Sequence, residues 1–266
     1  MPELPDVTMY KKILDGSSLH KTIEKISFSD SRILKGVSVR KFSHILKGNR
    51  FARSLQHGKN LLVQVSGGSP HVLLHFGMTG ALHFLERGED EPVYTRCVFT
   101  FAGGGRLAVS DQRLLGKIGI VEDPQSFVRE KGLGPHATGK ELHAERFVQI
   151  LSGRKGRIKT ALMNQSVIAG IGNIYSDETL YQASIHPESD VRSLDSKTLQ
   201  DLHGVMQRVL RTAIRSGADA EKFPKDFLLP NRRSGASCPR CKGKIEKIRV
   251  NGRGTYLCPL CQKKQQ

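Results

Sequence analysis

The chain has 266 residues, long enough for two compact domains or for one large core with an appended module. Its 42 Lys and Arg against 25 Asp and Glu give a formal charge of +17, which points to a polyanionic partner and says nothing about fold. No apolar run approaches the roughly 18 residues of a spanning helix, and no basic segment leads an apolar signal core. A membrane partner is therefore excluded, and a cytoplasmic protein that meets nucleic acid is expected, nucleoid-associated if the source is prokaryotic.

The first residues, "MPELPDV", put Pro2 behind the initiator Met, a small second residue that normally lets methionine be removed. The mature chain would then start with a secondary amine of pKa about 8, against about 10.4 for a lysine, and so substantially neutral near pH 7. A neutral amine can attack C1′ of a deoxyribose and form an iminium. Glu3 beside it could transfer protons during base loss and elimination. On those letters alone, Pro2 and Pro5 read more readily as only an N-terminal kink, and the nucleophile reading needs further support.

From residue 24 to about 121 apolar and polar side chains alternate, in "KISFSD", "NLLVQVSG", "HVLLHFGMTGALHFL", "YTRCVFTF", "GRLAVSD" and "KIGIVED". That is the pattern of half-buried strands. The glycine turns "SGGSP" and "FAGGGR" suit hairpins, so an antiparallel sandwich or barrel is expected. Cys97 lies on one of these strands and reads as a small buried apolar residue. Residues 122 to 140, with Pro124, Gly132, Gly134 and Pro135, form the expected hinge.

From Glu141 onward the period changes to that of helices: "AERFVQILSG", "RIKTALMNQ", "NIYSDETLYQASI", and then Leu199, Leu202, Val205, Met206, Val209 and Ala213 before Gly217. Gly170 and Gly172 precede Asn173 where one helix begins. Exposed N–H groups at such a start attract anions such as phosphate. Arg154, Lys155, Arg157 and Lys159 on the approach read as a cationic funnel for a nucleic-acid backbone.

Cys238, Cys241, Cys258 and Cys261 follow the pattern C-x2-C-x16-C-x2-C, which reads as one structural zinc ion held by four thiolates. Four thiolates leave no open position, so the metal staples a hairpin and is not the catalyst. The tip "RVNGRGTY" sets Arg253 between Gly252 and Gly254, in a turn that can approach a phosphate closely.

Together, "MPELPDV", "HGKNLL", "HFGMTGAL", "GIGNIYSDETL" and "GRGTYLCPLCQ" resemble, in order and across nearly the whole chain, the formamidopyrimidine-DNA glycosylase and endonuclease VIII family of bifunctional base-excision repair enzymes. "MPELP" looks like the formamidopyrimidine branch. The resemblance implies an α+β protein of three parts. Residues 1–130 would be a catalytic domain, a two-layer antiparallel β-sandwich. Residues 131–232 would be a helix–two-turn–helix DNA-binding domain, and residues 233–266 a zinc-finger β-hairpin. A monomer holding damaged double-stranded DNA in the cleft is implied. Pro2 matches the family nucleophile, Glu3 its proton-transfer carboxylate and Lys59 a lysine that contacts phosphate and assists catalysis. Asn173 and Arg253 match the pair that clamps phosphates around the extruded nucleotide, and His75 a further phosphate contact. Met78 and Arg113 match two residues that fill the gap left by the flipped base, and Leu115 the opposite-strand wedge.

Three departures modify that expectation. Asp6 stands where the branch usually has Glu, and Leu115 where it usually has Phe. Only ten residues, "LLPNRRSGAS", separate Phe227 from Cys238, where the branch carries a longer loop that closes over 8-oxoguanine. Ring-opened formamidopyrimidines, oxidised pyrimidines or hydantoins are therefore expected ahead of 8-oxoguanine. The rival reading is a non-catalytic binder of abasic or distorted DNA. A metal-assisted nuclease would need an acidic cluster able to hold Mg2+, and the sequence offers no convincing one.

Overall fold

The alternating segments form eight strands arranged in two four-stranded antiparallel sheets in the computed structural model, which describes residues 1–68 and 70–264. One sheet has the order β1-β6-β7-β5, with β1 Ile23–Phe28, β5 Gly80–Leu85, β6 Thr95–Phe101 and β7 Arg106–Asp111. The other has the order β2-β3-β4-β8, with β2 Phe51–His57, β3 Asn60–Val65, β4 His71–His75 and β8 Lys117–Val121. Side chains from both sheets, among them Leu61, Val63, Val72, Phe99, Leu107 and Val109, share one buried cluster, as two facing layers require. Cys97 is fully buried on β6, and burial pushes its thiol well above the usual range.

Two helices stand outside the sequence reading, one before the alternating region and one within it. α1 (Leu4–Ser17) buries Leu4, Val7 and Leu14, three of its positions at helical spacing. α2 (Val39–Leu46) starts at Ser38, whose Oγ accepts the Lys41 N–H, and buries Phe42 and Leu46 four apart. The Phe42 ring sits 5.8 Å from Phe28 and 6.2 Å from Phe99, filling the sandwich core. Both segments are short and polar on the outside, so periodicity over a long window misses them.

By internal contacts the chain divides into two units, Met1–Pro2 with Asp6–Lys131, and Glu3–Pro5 with Gly132–Gln266. The division falls within the expected hinge, which also carries α3 (Pro124–Glu130), capped by Asp123. The second unit holds α4 (Ala144–Leu151), α5 (Ile158–Met163), α6 (Asn173–Gln182) and α7 (Ser196–Arg215). α7 follows its sequence pattern: Asp195 caps it, Leu199, Leu202, Met206, Val209 and Ala213 are buried, and Gly217 turns the chain out at φ 70°. Among the described residues no helix is long and apolar enough to cross a membrane.

The last element is a hairpin of β9 (Glu246–Val250) and β10 (Arg253–Leu257). Its two-residue turn is Asn251–Gly252, with φ 45° and 73°, the mirror-image turn that matches strand twist. Arg253 is therefore not in the turn between two glycines, as the sequence suggested. It opens β10 opposite Val250, and Gly254 is a strand residue opposite Arg249.

Candidate functional site

In the first unit the expected residues other than Pro2 lie at strand ends or in the loops between strands. Pro2 is buried in this unit. Lys59 lies in the β2–β3 turn, where Gly58 takes φ 56° and the Asn60 amide donates to His57 O at 3.2 Å. Asn60 faces His75 across the ladder, and His75 faces Lys117 on the next strand. Burial, followed by the charges of Lys117 and Lys59, holds the His75 imidazole below its ordinary pKa. Its Nδ1 accepts the Gly77 N–H at 3.2 Å, so the neutral ring carries its proton on Nε2.

Met78 and Leu115 are among the few exposed large apolar side chains, and Arg113 is exposed with them. Two loops carry them, Phe76–Gly80 and Asp111–Gly116. The backbones touch: a Cβ on Gly77 would stand 2.5 Å from Leu115 C, and Gly77 has φ 59°. Asp111, fully buried, joins the loops with its carboxylate. Oδ1 accepts from Thr79 Oγ1 at 2.5 Å and from the Arg113 N–H at 3.2 Å, while Oδ2 accepts the Gly116 N–H at 2.7 Å. The Arg113 N–H also reaches Thr79 Oγ1 at 3.1 Å.

In the second unit the start of α6 is already occupied. The carboxylate of Glu3, fully buried, accepts from the backbone N–H of Gly172 at 2.7 Å, Ile174 at 2.8 Å and Tyr175 at 3.2 Å. The expectation that these N–H groups face a phosphate is thus corrected, because the protein's own carboxylate takes three of them and the favourable end of the helix dipole. The glycine path survives as a finding: Gly170 takes φ 120°, and Gln165 bonds Gly170 N–H and Ile171 O to hold the turn.

Asn173 donates from Nδ2 to Gly254 O at 2.9 Å, and its Oδ1 is buried without a partner. The structure thus brings Asn173 and the start of β10, where Arg253 is exposed, together. Beneath them lies a buried ion network. Lys159 Nζ is 2.6 Å from Asp177 Oδ1, both side chains being fully buried, and donates to Thr255 Oγ1 at 2.6 Å. Arg232 meets Asp177 Oδ2 at 2.7 Å, and the Tyr256 N–H bonds the same oxygen. Burial lowers the Lys159 pKa and raises that of Asp177, and the contact between them works against both shifts. Lys159 is therefore no part of a solvated funnel: it anchors β10 to α5 and α6. Arg157 pairs with Glu188 at 3.2 Å yet remains exposed, as do Arg154 and Lys155.

The four cysteine sulfurs lie within 4.8 Å of one another, with Cys238 and Cys261 at 3.8 Å and Cys241 and Cys258 at 3.5 Å. Tetrahedral zinc with bonds of about 2.3 Å needs sulfurs about 3.8 Å apart, so the set fits one structural zinc ion. Tyr181 Oη is 3.1 Å from Cys238 Sγ, and Gln262 bonds the Cys258 N–H and Ile185 O.

The ten-residue segment after Phe227 is pinned to α6. Glu178 accepts from the N–H groups of Leu228 at 3.1 Å and Leu229 at 2.8 Å, and Arg232 from the same segment pairs with Asp177. Sequence reasoning singled out none of Asp111, Asp177 and Glu178. The "DQR" of the first, an acid two residues before a turn N–H, is a recognisable Asx-turn signal. Burial of charge inside α6 has no comparable signature.

An antiparallel sandwich, a helical region and a four-cysteine finger, with a buried N-terminal carboxylate and exposed cations, define a DNA glycosylase of base-excision repair. Family models match in the same order: the formamidopyrimidine-DNA glycosylase N-terminal domain at residues 1–118, its H2TH domain at 133–225, and a zinc finger found in FPG and IleRS at 237–264. The chain belongs to the formamidopyrimidine-DNA glycosylase family. A formamidopyrimidine-DNA glycosylase of Heliobacterium modesticaldum is 33% identical over 279 residues, covering 99% of this chain and 100% of its own. One from Solibacter usitatus is 34% identical over 275 residues, with 99% and 100% covered. The crystal structure of the Lactococcus lactis enzyme bound non-covalently to DNA containing an AP site superposes with a TM-score of 0.88 at 27% identity, covering 98% of this chain and 100% of that one. A MutM complex with DNA containing carbocyclic 8-oxo-G gives 0.89 at 27% identity, covering 99% and 100%.

Proposed function

We propose that this protein is a bifunctional DNA glycosylase and AP lyase in which Pro2, freed of Met1, is the nucleophile. The Pro2 nitrogen attacks C1′ of the damaged nucleotide, the C1′–base bond breaks, and the base leaves with a proton. Opening of the sugar gives an iminium between Pro2 and C1′. β-Elimination then breaks the C3′–O bond and δ-elimination the C5′–O bond, leaving a single-nucleotide gap. Glu3 transfers the protons and Lys59 assists from the β2–β3 turn. His75, Asn173 and Arg253 hold phosphates, and Met78, Arg113 and Leu115 fill and probe the helix once the base has left it. Extrusion costs a few kcal/mol that the phosphate contacts must offset.

The observation that supports this reading best is the seat of Glu3. A carboxylate next in sequence to Pro2 is fully buried yet held by three backbone N–H groups, a cost that simple DNA binding does not require. The division into residues 1–130, 131–232 and 233–266, action as a monomer, and a preference for ring-opened or oxidised bases over 8-oxoguanine belong to the same proposal.

Borohydride trapping tests it, on duplexes carrying an abasic site, 8-oxoguanine, a formamidopyrimidine or thymine glycol. A covalent adduct is expected on the abasic duplex and is lost in Pro2→Gly. Glu3→Gln should cut base excision by at least about a hundredfold, in the range seen when proton-transfer groups are removed. Tight duplex binding with no adduct, from a chain whose free Pro2 amine has been confirmed, would leave a non-catalytic binder of damaged DNA.

A further inference from the structure

The loop carrying Met78 and the loop carrying Arg113 and Leu115 are in direct contact. They share a backbone contact at Gly77, and the second loop packs so tightly that a Cβ on Gly116 would stand 3.0 Å from both Asp111 Oδ2 and His75 O. Among the described residues, the side-chain bonds linking the loops are Thr79 Oγ1 to Asp111 Oδ1 and the Arg113 N–H to Thr79 Oγ1, while the Arg113 and Gly116 N–H groups bond Asp111 within the second loop. Asp111 is itself fixed from behind: its N–H donates to Tyr94 O at 3.0 Å, and its carbonyl accepts from Arg96 Nε at 2.8 Å. Leu114 is held at φ 53°, a left-handed conformation that a leucine adopts only when its surroundings impose it.

We infer that Asp111 is a positioning residue for base extrusion, whose carboxylate locks the Met78 loop and the Arg113–Leu115 loop into a single rigid probe. The inference rests on the proposed void-filling role of those three side chains. Two loops that moved independently would pay ordering entropy each time they entered the duplex. Bolted together, they enter as one preformed wedge. The chemistry of the lock explains why it must be a carboxylate. Thr79 O–H and two backbone N–H groups all donate, so both oxygens must accept. An asparagine would turn its NH2 toward one of these donors.

The role separates from simple scaffolding because the probe is needed most when a paired base must be displaced. The experiment measures single-turnover excision of a formamidopyrimidine paired with cytosine, and strand cleavage at a preformed abasic site, for the full chain with zinc. Asp111→Asn is expected to lower the ratio of the first rate to the second by about tenfold, a change of the size that follows loss of transition-state positioning. Thr79→Val, isosteric and less disruptive, should lower it in the same direction by about threefold. In a Met78→Ala, Arg113→Ala background the added effect of Asp111→Asn should shrink, because only Leu115 is left to position.

Equal loss of both rates in Asp111→Asn and in Thr79→Val would overturn the inference and leave Asp111 a structural residue. So would an effect that persists undiminished in the double-alanine background. If the double-alanine protein itself excises the paired lesion at the wild-type rate, the void-filling reading fails first and the inference falls with it. Borohydride trapping on the abasic duplex is unaffected by that result and reports on the Pro2 chemistry separately.

Discussion

The Met78 and Arg113–Leu115 loops of the first unit and the finger of the second both hold exposed side chains in fixed places, by opposite means. Met78, Arg113 and Leu115 stand on a lattice of backbone bonds, glycine contacts and one carboxylate, with no ion pair linking the two loops among the described residues. Arg253 stands on a four-thiolate cluster and a buried network of Lys159, Asp177 and Arg232. The first arrangement is short-range and depends on exact shape; the second spans four chain segments and depends on charge and metal. A small hairpin with a core of only a few buried residues cannot hold a shape by packing alone.

The largest effect should come from the metal. Stripping zinc with a chelator, or Cys258→Ser, removes a contribution that in isolated fingers reaches about 10–16 kcal/mol. Residues 237–264 should become protease-sensitive and duplex affinity should fall by at least about tenfold. A finger that stays protected without zinc would mean that the ion network suffices, and the contrast with the first unit would then lie in charge alone.

Next comes that network. Asp177→Asn strands Lys159 in a fully buried site and is expected to destabilise the second unit by about 3–5 kcal/mol, read by denaturant unfolding. Lys159→Met combined with Asp177→Leu should recover part of the loss, because breaking a buried pair costs more than replacing it. Equal losses in the single and double variants would show that hydrogen bonds to Thr255 and Tyr256, not charge, carry the anchor.

Two glycines sharpen the comparison further. Gly77→Ala meets the Leu115 backbone at a positive φ and should cost about 2–3 kcal/mol. Gly252→Ala, at φ 73° but with nothing within 4 Å, should cost only about 1 kcal/mol. Matching losses in thermal unfolding would remove the claim that the Met78 and Arg113–Leu115 loops depend on close contact.

The smallest effect is a titration. Burial pushes the Glu178 carboxyl up to about 7, against about 4.3 in an unfolded chain. Between those values the folded state holds a proton that the unfolded state has lost, so this group's contribution falls as pH rises from about 4.5 to 7. Wild type should therefore lose stability relative to Glu178→Gln over that interval, by roughly 1–3 kcal/mol in total. A difference that is flat with pH would place the Glu178 titration outside it.

Much of this was legible beforehand because it depends on local pattern. Period-two alternation marked the sheets, the apolar stripe of α7 marked its buried face, and cysteine spacing marked the finger. What escaped depends on tertiary partners. Gly170 and Gly172 correctly flagged an unusual helix start, yet nothing in the letters said that Glu3 would fill it. Lys159 looked like one cation among many, since its partner Asp177 lies on a different helix. The hairpin turn was misplaced because Asn251, not Gly254, joins Gly252 in the left-handed region.

The seat of Glu3 also sets a clock. Glu3 and its donor Gly172 are 169 residues apart, and chains grow at about 5–20 residues per second. The third residue made therefore waits roughly 8–34 seconds for its binding partners to be synthesised. A ribosome that stops between β3 and β8 releases a fragment with Pro2 and Lys59 but without Gly172, Ile174 and Tyr175, the seat of the carboxylate. If Pro2 is the nucleophile proposed above, the nascent chain carries it early in synthesis and lacks the seated Glu3 carboxylate until the helical unit has been made.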